Sequence, residues 1–258
     1  MPEGLEAEIW RAAIADTVGR RVTDCWVDER VAPPGFVDLV TGTRIVAVRR
    51  AGKVVIIETD GPSIGLHFGM TGRIVVDGRS PIAQLEYASG RDESEWDRLL
   101  IWTNRRAGRV PAIRMNDPRR FGRVSIDPDL SHLGVDVFAV TAAVLRESFG
   151  RRRTSVKAVL LDQSAIAGLG NLCVDEVLWW AGVDPRRPVD ALADSDVAAI
   201  ATAIRRRLPV MLRRGGSTTG TISPQLRRSL GPCPKDGGEL VRGVVGTRTT
   251  VWCARHQC

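Results

Sequence analysis

The sequence predicts an α+β multidomain chain: an N-terminal antiparallel β-sandwich carrying an N-terminal helix, then a helical domain, then a ribbon-like β-hairpin. Three observations carry this. Short Val- and Ile-rich segments separated by turn residues fill the first half. From about Thr141 the apolar spacing becomes that of helices. Three of the five cysteines, Cys233, Cys253 and Cys258, crowd into the last 26 residues, and that asymmetry suggests a metal site over a disulfide framework.

A stretch from Glu6 to Val18 reads as the first helix, with Ile9, Trp10, Ile14 and Val18 on one side. Strands are expected over Arg21–Asp28, Arg44–Arg49, Val54–Thr59, Ser63–Phe68, Arg73–Val76, Arg98–Thr103, Val110–Met115 and Gly122–Ile126. The break from Asp127 to Asp136, with Pro128 and Gly134, reads as a linker. Helices are expected over Thr141–Ser148, Ser155–Leu161, Leu172–Ala181 and Ser195–Leu212. A Gly/Ser/Thr loop after Arg214 then leads into the hairpin. The boundaries placed on this pattern are 1–130, 131–225 and 226–258. Cys25 and Cys173 stand far from the other cysteines and read as buried apolar thiols.

The chain has 258 residues and 43% hydrophobic content, enough for substantial cores. No apolar run approaches the length of a membrane span and the N-terminus lacks an apolar signal region, so a cytoplasmic address is expected. A net charge of +7 points to a polyanionic partner. Its arginines cluster at Arg105, Arg106, Arg109 and Arg114, at Arg119, Arg120 and Arg123, at Arg151 to Arg153, and at Arg205 to Arg207 with Arg213 and Arg214. Clusters in several places suit a nucleic-acid-facing cleft better than a basic tail does.

The chemistry concentrates at Met1-Pro2-Glu3-Gly4-Leu5-Glu6. Removal of Met1 would give Pro2 a free secondary amine, and an α-amino group titrates near ~7.7–8, well below lysine. The dipole of the helix behind it disfavours protonation further. Attack of such an amine on an aldehyde-level carbon gives a cationic iminium, an electron sink for eliminations, and Glu3 is a candidate acid or base beside it. Pro-Glu is also a common helix start, so the pattern alone does not decide. Gly168 and Gly170 allow close backbone approach to a ligand, and Asn171 reads as the cap of the next helix, whose N-terminus is an anion site.

Met-Pro-Glu-Gly-x-Glu, the turn Ala51-Gly52-Lys53, the loops Gly69-Met70-Thr71-Gly72 and Asp117-Pro118-Arg119-Arg120-Phe121-Gly122, the element Gly168-Leu169-Gly170-Asn171 with Glu176, and the cysteine ribbon occur in the order of one family. Together they make the chain resemble the formamidopyrimidine-DNA glycosylase / endonuclease VIII family over essentially its whole length. That resemblance implies a helix-two-turns-helix element in the helical domain and a zinc-ribbon-like terminal hairpin. It implies a bifunctional glycosylase and abasic-site lyase of base excision repair, a nucleoid-associated monomer whose partner is damaged double-stranded DNA. Catalytic roles fall on Pro2, Glu3, Lys53 and Arg248. DNA contacts fall on Glu6, Arg152, Lys157 and Asn171, with Met70, Arg119 and Phe121 filling the stack after base extrusion. Only three lysines occur, and two of them, Lys53 and Lys157, lie where the family places basic residues.

Two departures are visible. The family's zinc ribbon has four cysteines, whereas Asp236 and His256 stand here with Cys233 and Cys253. A single Cys₂HisAsp zinc site, Cys258 in place of Asp236, and a ribbon packed without metal remain open. The loop between Gly216 and Cys233 is short for one that caps extruded 8-oxoguanine, and Asp92, Glu93 and Glu95 form an acidic patch where the family has a histidine-rich DNA contact. An endonuclease VIII-like preference for oxidised pyrimidines, and a non-catalytic abasic-site binder, are the alternatives.

Overall fold

The computed structural model describes residues 2–83, 85–88, 90–104 and 110–258. Met1 and the expected basic cluster Arg105, Arg106 and Arg109 lie outside the described residues. By contacts the chain divides into one compact unit of residues 1–2 and 6–131 and another of residues 3–5 and 132–258.

The first unit takes most of helix α1 (Gly4–Ala15), strand β1 (Val22–Val27), the short helix α2 (Phe36–Val40), and strands β2 (Ile45–Ala51), β3 (Val54–Thr59), β4 (Ile64–His67), β5 (Arg73–Val76), β6 (Asp97–Thr103), β7 (Ile113–Asn116) and β8 (Arg123–Ile126). The strands pair antiparallel in two sheets, ordered β1-β6-β7-β5 and β2-β3-β4-β8. Alternate apolar residues of both sheets bury one core, in which the rings of Trp10 and Phe68 lie 4.2 Å apart. Strand β7 starts later than the sequence suggests, because Pro111 has no N–H for a ladder. Helix α1 starts earlier than expected, since the Gly4 N–H bonds the Gly168 carbonyl at 2.8 Å, and it ends at Ala15.

The second unit contains β9 (Val135–Asp136), α3 (Ala142–Phe149), α4 (Val156–Leu161), β10 (Ile166–Ala167), α5 (Asn171–Ala181), α6 (Asp194–Arg214), α7 (Pro224–Ser229), β11 (Leu240–Val245) and β12 (Arg248–Cys253). Its helices bury an aliphatic core that takes in Leu5. A smaller cluster of Trp179, Ile222, Cys233, Leu240, Val251 and Cys253 lies beneath the β11–β12 hairpin. That hairpin turns on Gly246 and Thr247, both at positive φ (57° and 64°), as a two-residue primed turn requires, and so sets Arg248 at the head of β12. Helix α7, expected as loop, is started by the Ser223 hydroxyl accepting from Leu226 N, with Pro224 in its first turn. No helix among the described residues is long and apolar enough to cross a membrane.

Candidate active site

In the first unit, a two-residue turn places Lys53 between β2 and β3, where Ala51 pairs Val54. Val54 in turn pairs His67. Burial, then the charges of Lys53 and Arg123, hold the His67 imidazole below its usual pKa. Beyond His67 the chain turns through Gly69 and Met70, and this turn packs on the one that carries Arg119 and Phe121. Gly69 sits at φ +57°, and a Cβ there would lie 2.4 Å from the carbonyl carbon of Phe121, so only glycine lets the turns meet. Buried Asp117 ties them: it accepts from the Thr71 hydroxyl, from Gly122 N at 2.8 Å and from Arg119 N at 3.2 Å. Met70 is half-buried, and Phe121 is 47% exposed with the Arg119 guanidinium 4.7 Å from its ring centroid. The three residues expected to fill the stack therefore stand on one braced pair of turns.

One member of the expected acidic patch is held by arginines. Asp92 pairs with Arg114 at 2.5 Å and with Arg73 at 3.3 Å. Cys25 and Cys173 are buried as expected, and burial pushes the Cys25 thiol up to about 12. Glu6 is 1% exposed and offers a duplex no surface, contrary to its expected DNA contact.

In the second unit, Glu3 is 1% exposed and both its oxygens are engaged: Oε2 accepts from Gly170 N (3.0 Å) and Cys173 N (3.1 Å), and Oε1 from Leu172 N (2.8 Å). A carboxylate supplied from the start of the chain thus satisfies the open amides of α5. Gly170 must be glycine, since a Cβ there would lie 2.3 Å from the Glu3 carboxyl carbon. Pro2, immediately before Glu3, is buried. Asn171 is not the cap, as the sequence suggested. Gly170 holds that position, and the Asn171 amide turns to the Thr249 carbonyl at 2.9 Å, leaving its own Oδ1 buried without a partner.

Lys157 requires the largest correction. It is fully buried, 2.6 Å from Asp175, and reaches the Thr249 carbonyl at 3.4 Å, so it does not line a DNA backbone. Burial lowers its pKa, against the pull of Asp175. Asp175 also binds the Arg227 guanidinium and accepts from Val251 N at 3.1 Å. These groups clamp the strand that begins at exposed Arg248. Asp175 and Arg227 were missed by sequence reasoning; the one available signal was that Asp175 follows Asn171 by four residues on the same helix face. Exposed Arg152 lies 3.5 Å from Asp162. Glu176 accepts from Thr221 N and Ile222 N, each at 2.8 Å, and so pins the short loop before α7 onto α5.

The donor atoms of Cys233, Asp236, Cys253 and His256 all lie within 4.8 Å of one another. The His256 Nε2 lies 3.1 Å from the Trp179 carbonyl, which can only accept; Nε2 therefore carries the proton and Nδ1 turns its lone pair to the cluster. The Gly238 N–H, then the Cys233 and Cys253 thiols and His256, hold the Asp236 carboxyl down at about 2. Two thiols, an imidazole nitrogen and a carboxylate so gathered fit a divalent cation. Cys258 is exposed and stands outside this group.

The family model described as the formamidopyrimidine-DNA glycosylase N-terminal domain matches residues 1–124, and that of the H2TH domain of the same glycosylase matches residues 133–223. The chain is 35% identical over 277 residues to the formamidopyrimidine-DNA glycosylase of Paracoccus denitrificans, covering 97% of this chain and 94% of that one. The chain belongs to the formamidopyrimidine-DNA glycosylase family. A second family relative, from Acidithiobacillus ferrooxidans, is 30% identical over the whole of both chains. Among solved structures of the family, the Thermus thermophilus protein matches with a TM-score of 0.81 at 25% identity, covering 99% of this chain and 98% of that one. The Lactococcus lactis enzyme bound to abasic-site DNA matches with a TM-score of 0.81 at 24% identity, covering 99% of each.

Proposed function

We propose that the chain excises oxidised bases from duplex DNA as a bifunctional glycosylase and abasic-site lyase, with the Pro2 amine as nucleophile. Family membership makes it a DNA N-glycosylase of base excision repair whose partner is damaged DNA. The observation that carries the finer reading is Glu3: its three backbone donors fix the residue next to Pro2 at the start of α5, so the amine extends from an anchored point.

In this reading the Pro2 nitrogen bonds to the anomeric carbon and the damaged base leaves with the glycosidic electron pair. Glu3 exchanges a proton with the opening sugar, and the resulting iminium draws electrons through β- and then δ-elimination. Lys53 and Arg248 contact the phosphates at the lesion and assist. Asn171 and Arg152 hold the neighbouring backbone, while Met70, Arg119 and Phe121 occupy the gap left by the extruded base. Lys157 serves this site by holding the strand of Arg248, without touching DNA. Cys233, Asp236, Cys253 and His256 would hold one structural zinc ion that joins the loop before β11 to the end of β12. The cell compartment is the cytoplasm, at the nucleoid.

Borohydride trapping on an abasic-site duplex tests the reading. A covalent adduct is expected from the wild type, at a reduced level from Pro2→Gly, whose α-amine is primary, and not from a form that retains Met1. Tight, salt-sensitive binding without any adduct would overturn it in favour of a damage-binding protein.

A further inference from the structure

On α6, Ala198, Ala199 and Thr202 share one face and border a groove of about 640 Å³ whose floor is Trp180 of α5 and whose end is closed by Arg206 and Arg207. The groove is built, not incidental. The Trp180 indole N–H donates to the Glu176 carboxylate at 2.8 Å, which fixes the ring. The Arg207 guanidinium stacks 3.6 Å from that ring's centroid. Stacking uses the flat face of a guanidinium and leaves its in-plane N–H edge for an acceptor. Arg207 Nε is buried with no hydrogen-bond partner. The acids at the head of α6 do not supply one: Asp194 is held by Arg146 at 2.7 Å and Asp196 by Arg187 at 2.8 Å.

We propose that this groove docks an acidic peptide segment of a partner protein, with an apolar side chain seated on Trp180 and the alanines and carboxylates on Arg206 and Arg207. Charge complementarity selects the acids, and the apolar floor selects a peptide over a phosphate backbone, which has no apolar group to place there. The site plays no part in the excision chemistry and stands or falls separately from it.

Fluorescence polarisation of the full-length chain with a short labelled peptide, several Asp and Glu around one Phe, tests this. Saturable binding is expected, weakened about tenfold or more by Arg206→Glu, by Ala198→Trp, which fills the groove from an exposed position, and by Phe→Ser in the peptide. An abasic-site duplex should not displace the peptide. Absence of binding, equal binding by the Phe→Ser peptide, or displacement by the duplex would each overturn the proposal, the last by assigning the groove to DNA. If Ala198→Trp misfolds by circular dichroism, Arg206→Glu and the peptide variant still decide.

Discussion

The Lys157 ammonium lies 2.6 Å from the Asp175 carboxylate, and both side chains are wholly removed from solvent. Such a pair gains little over an apolar replacement, but breaking it leaves a charge buried without its partner. Lys157→Met leaves Asp175 with Arg227 alone and is therefore expected to destabilise the chain in urea unfolding, but by less than the about 3–5 kcal/mol of a pair broken outright. Asp175→Asn should be worse than neutral as well, since Arg227 and Lys157 are then both uncompensated. A Lys157→Met variant that kept full stability yet lost affinity for DNA would restore the direct phosphate contact.

Glu3→Ala removes the acceptor for the N–H groups of Gly170, Leu172 and Cys173. Leaving buried donors open costs about 1–3 kcal/mol, so thermal unfolding should shift down measurably. Glu3→Gln keeps one acceptor oxygen and should recover part of the stability. If Glu3 also moves a proton during excision, Glu3→Gln will stay slow in base release even where its melting temperature is near wild type.

His67, exposed at the end of β4, adds a small acid sensitivity to the fold. Its imidazole is held below the usual value, so between the folded and unfolded pKa values the unfolded chain binds more protons and stability rises with pH. The penalty is absent above the unfolded value near ~6.5 and grows as pH falls through it. Lys53→Gln removes one opposing charge and should raise the His67 pKa in an NMR titration. An unchanged titration would mean that burial and Arg123 set it without Lys53.

The ribbon cluster predicts metal content. Elemental analysis of the purified chain should find one zinc per molecule, lost in His256→Ala and in Asp236→Ala and retained in Cys258→Ser. The opposite ranking of Asp236→Ala and Cys258→Ser would move the fourth ligand to Cys258. Stripping the ion with a chelator should loosen the hairpin that carries Arg248, read as faster amide exchange in β11 and β12.

Strands such as Val54–Thr59 and Arg73–Val76 were legible to the residue because short Val- and Ile-rich runs bounded by turn residues speak locally. Helix α7 was not, since six residues give too little periodicity and only Ser223-Pro224 marks its start. The candidate metal cluster was legible where a residue type is rare for its place, as with the cysteine pair near the end. Legibility failed where the partner is remote. Nothing near Lys157 in sequence announces Asp175, and Asn171 looked like a cap because the true one arrives from Glu3, 169 residues before Leu172.

The reach of the Glu3 carboxylate also sets a timetable. During synthesis the first residues cannot find their amide partners until Gly168 to Cys173 have left the ribosome and begun α5. For most of translation Glu3 therefore lacks its amide partners. Removal of Met1, which the proposed Pro2 nucleophile needs, belongs to that interval, and latching of the chain's beginning onto its second half closes it.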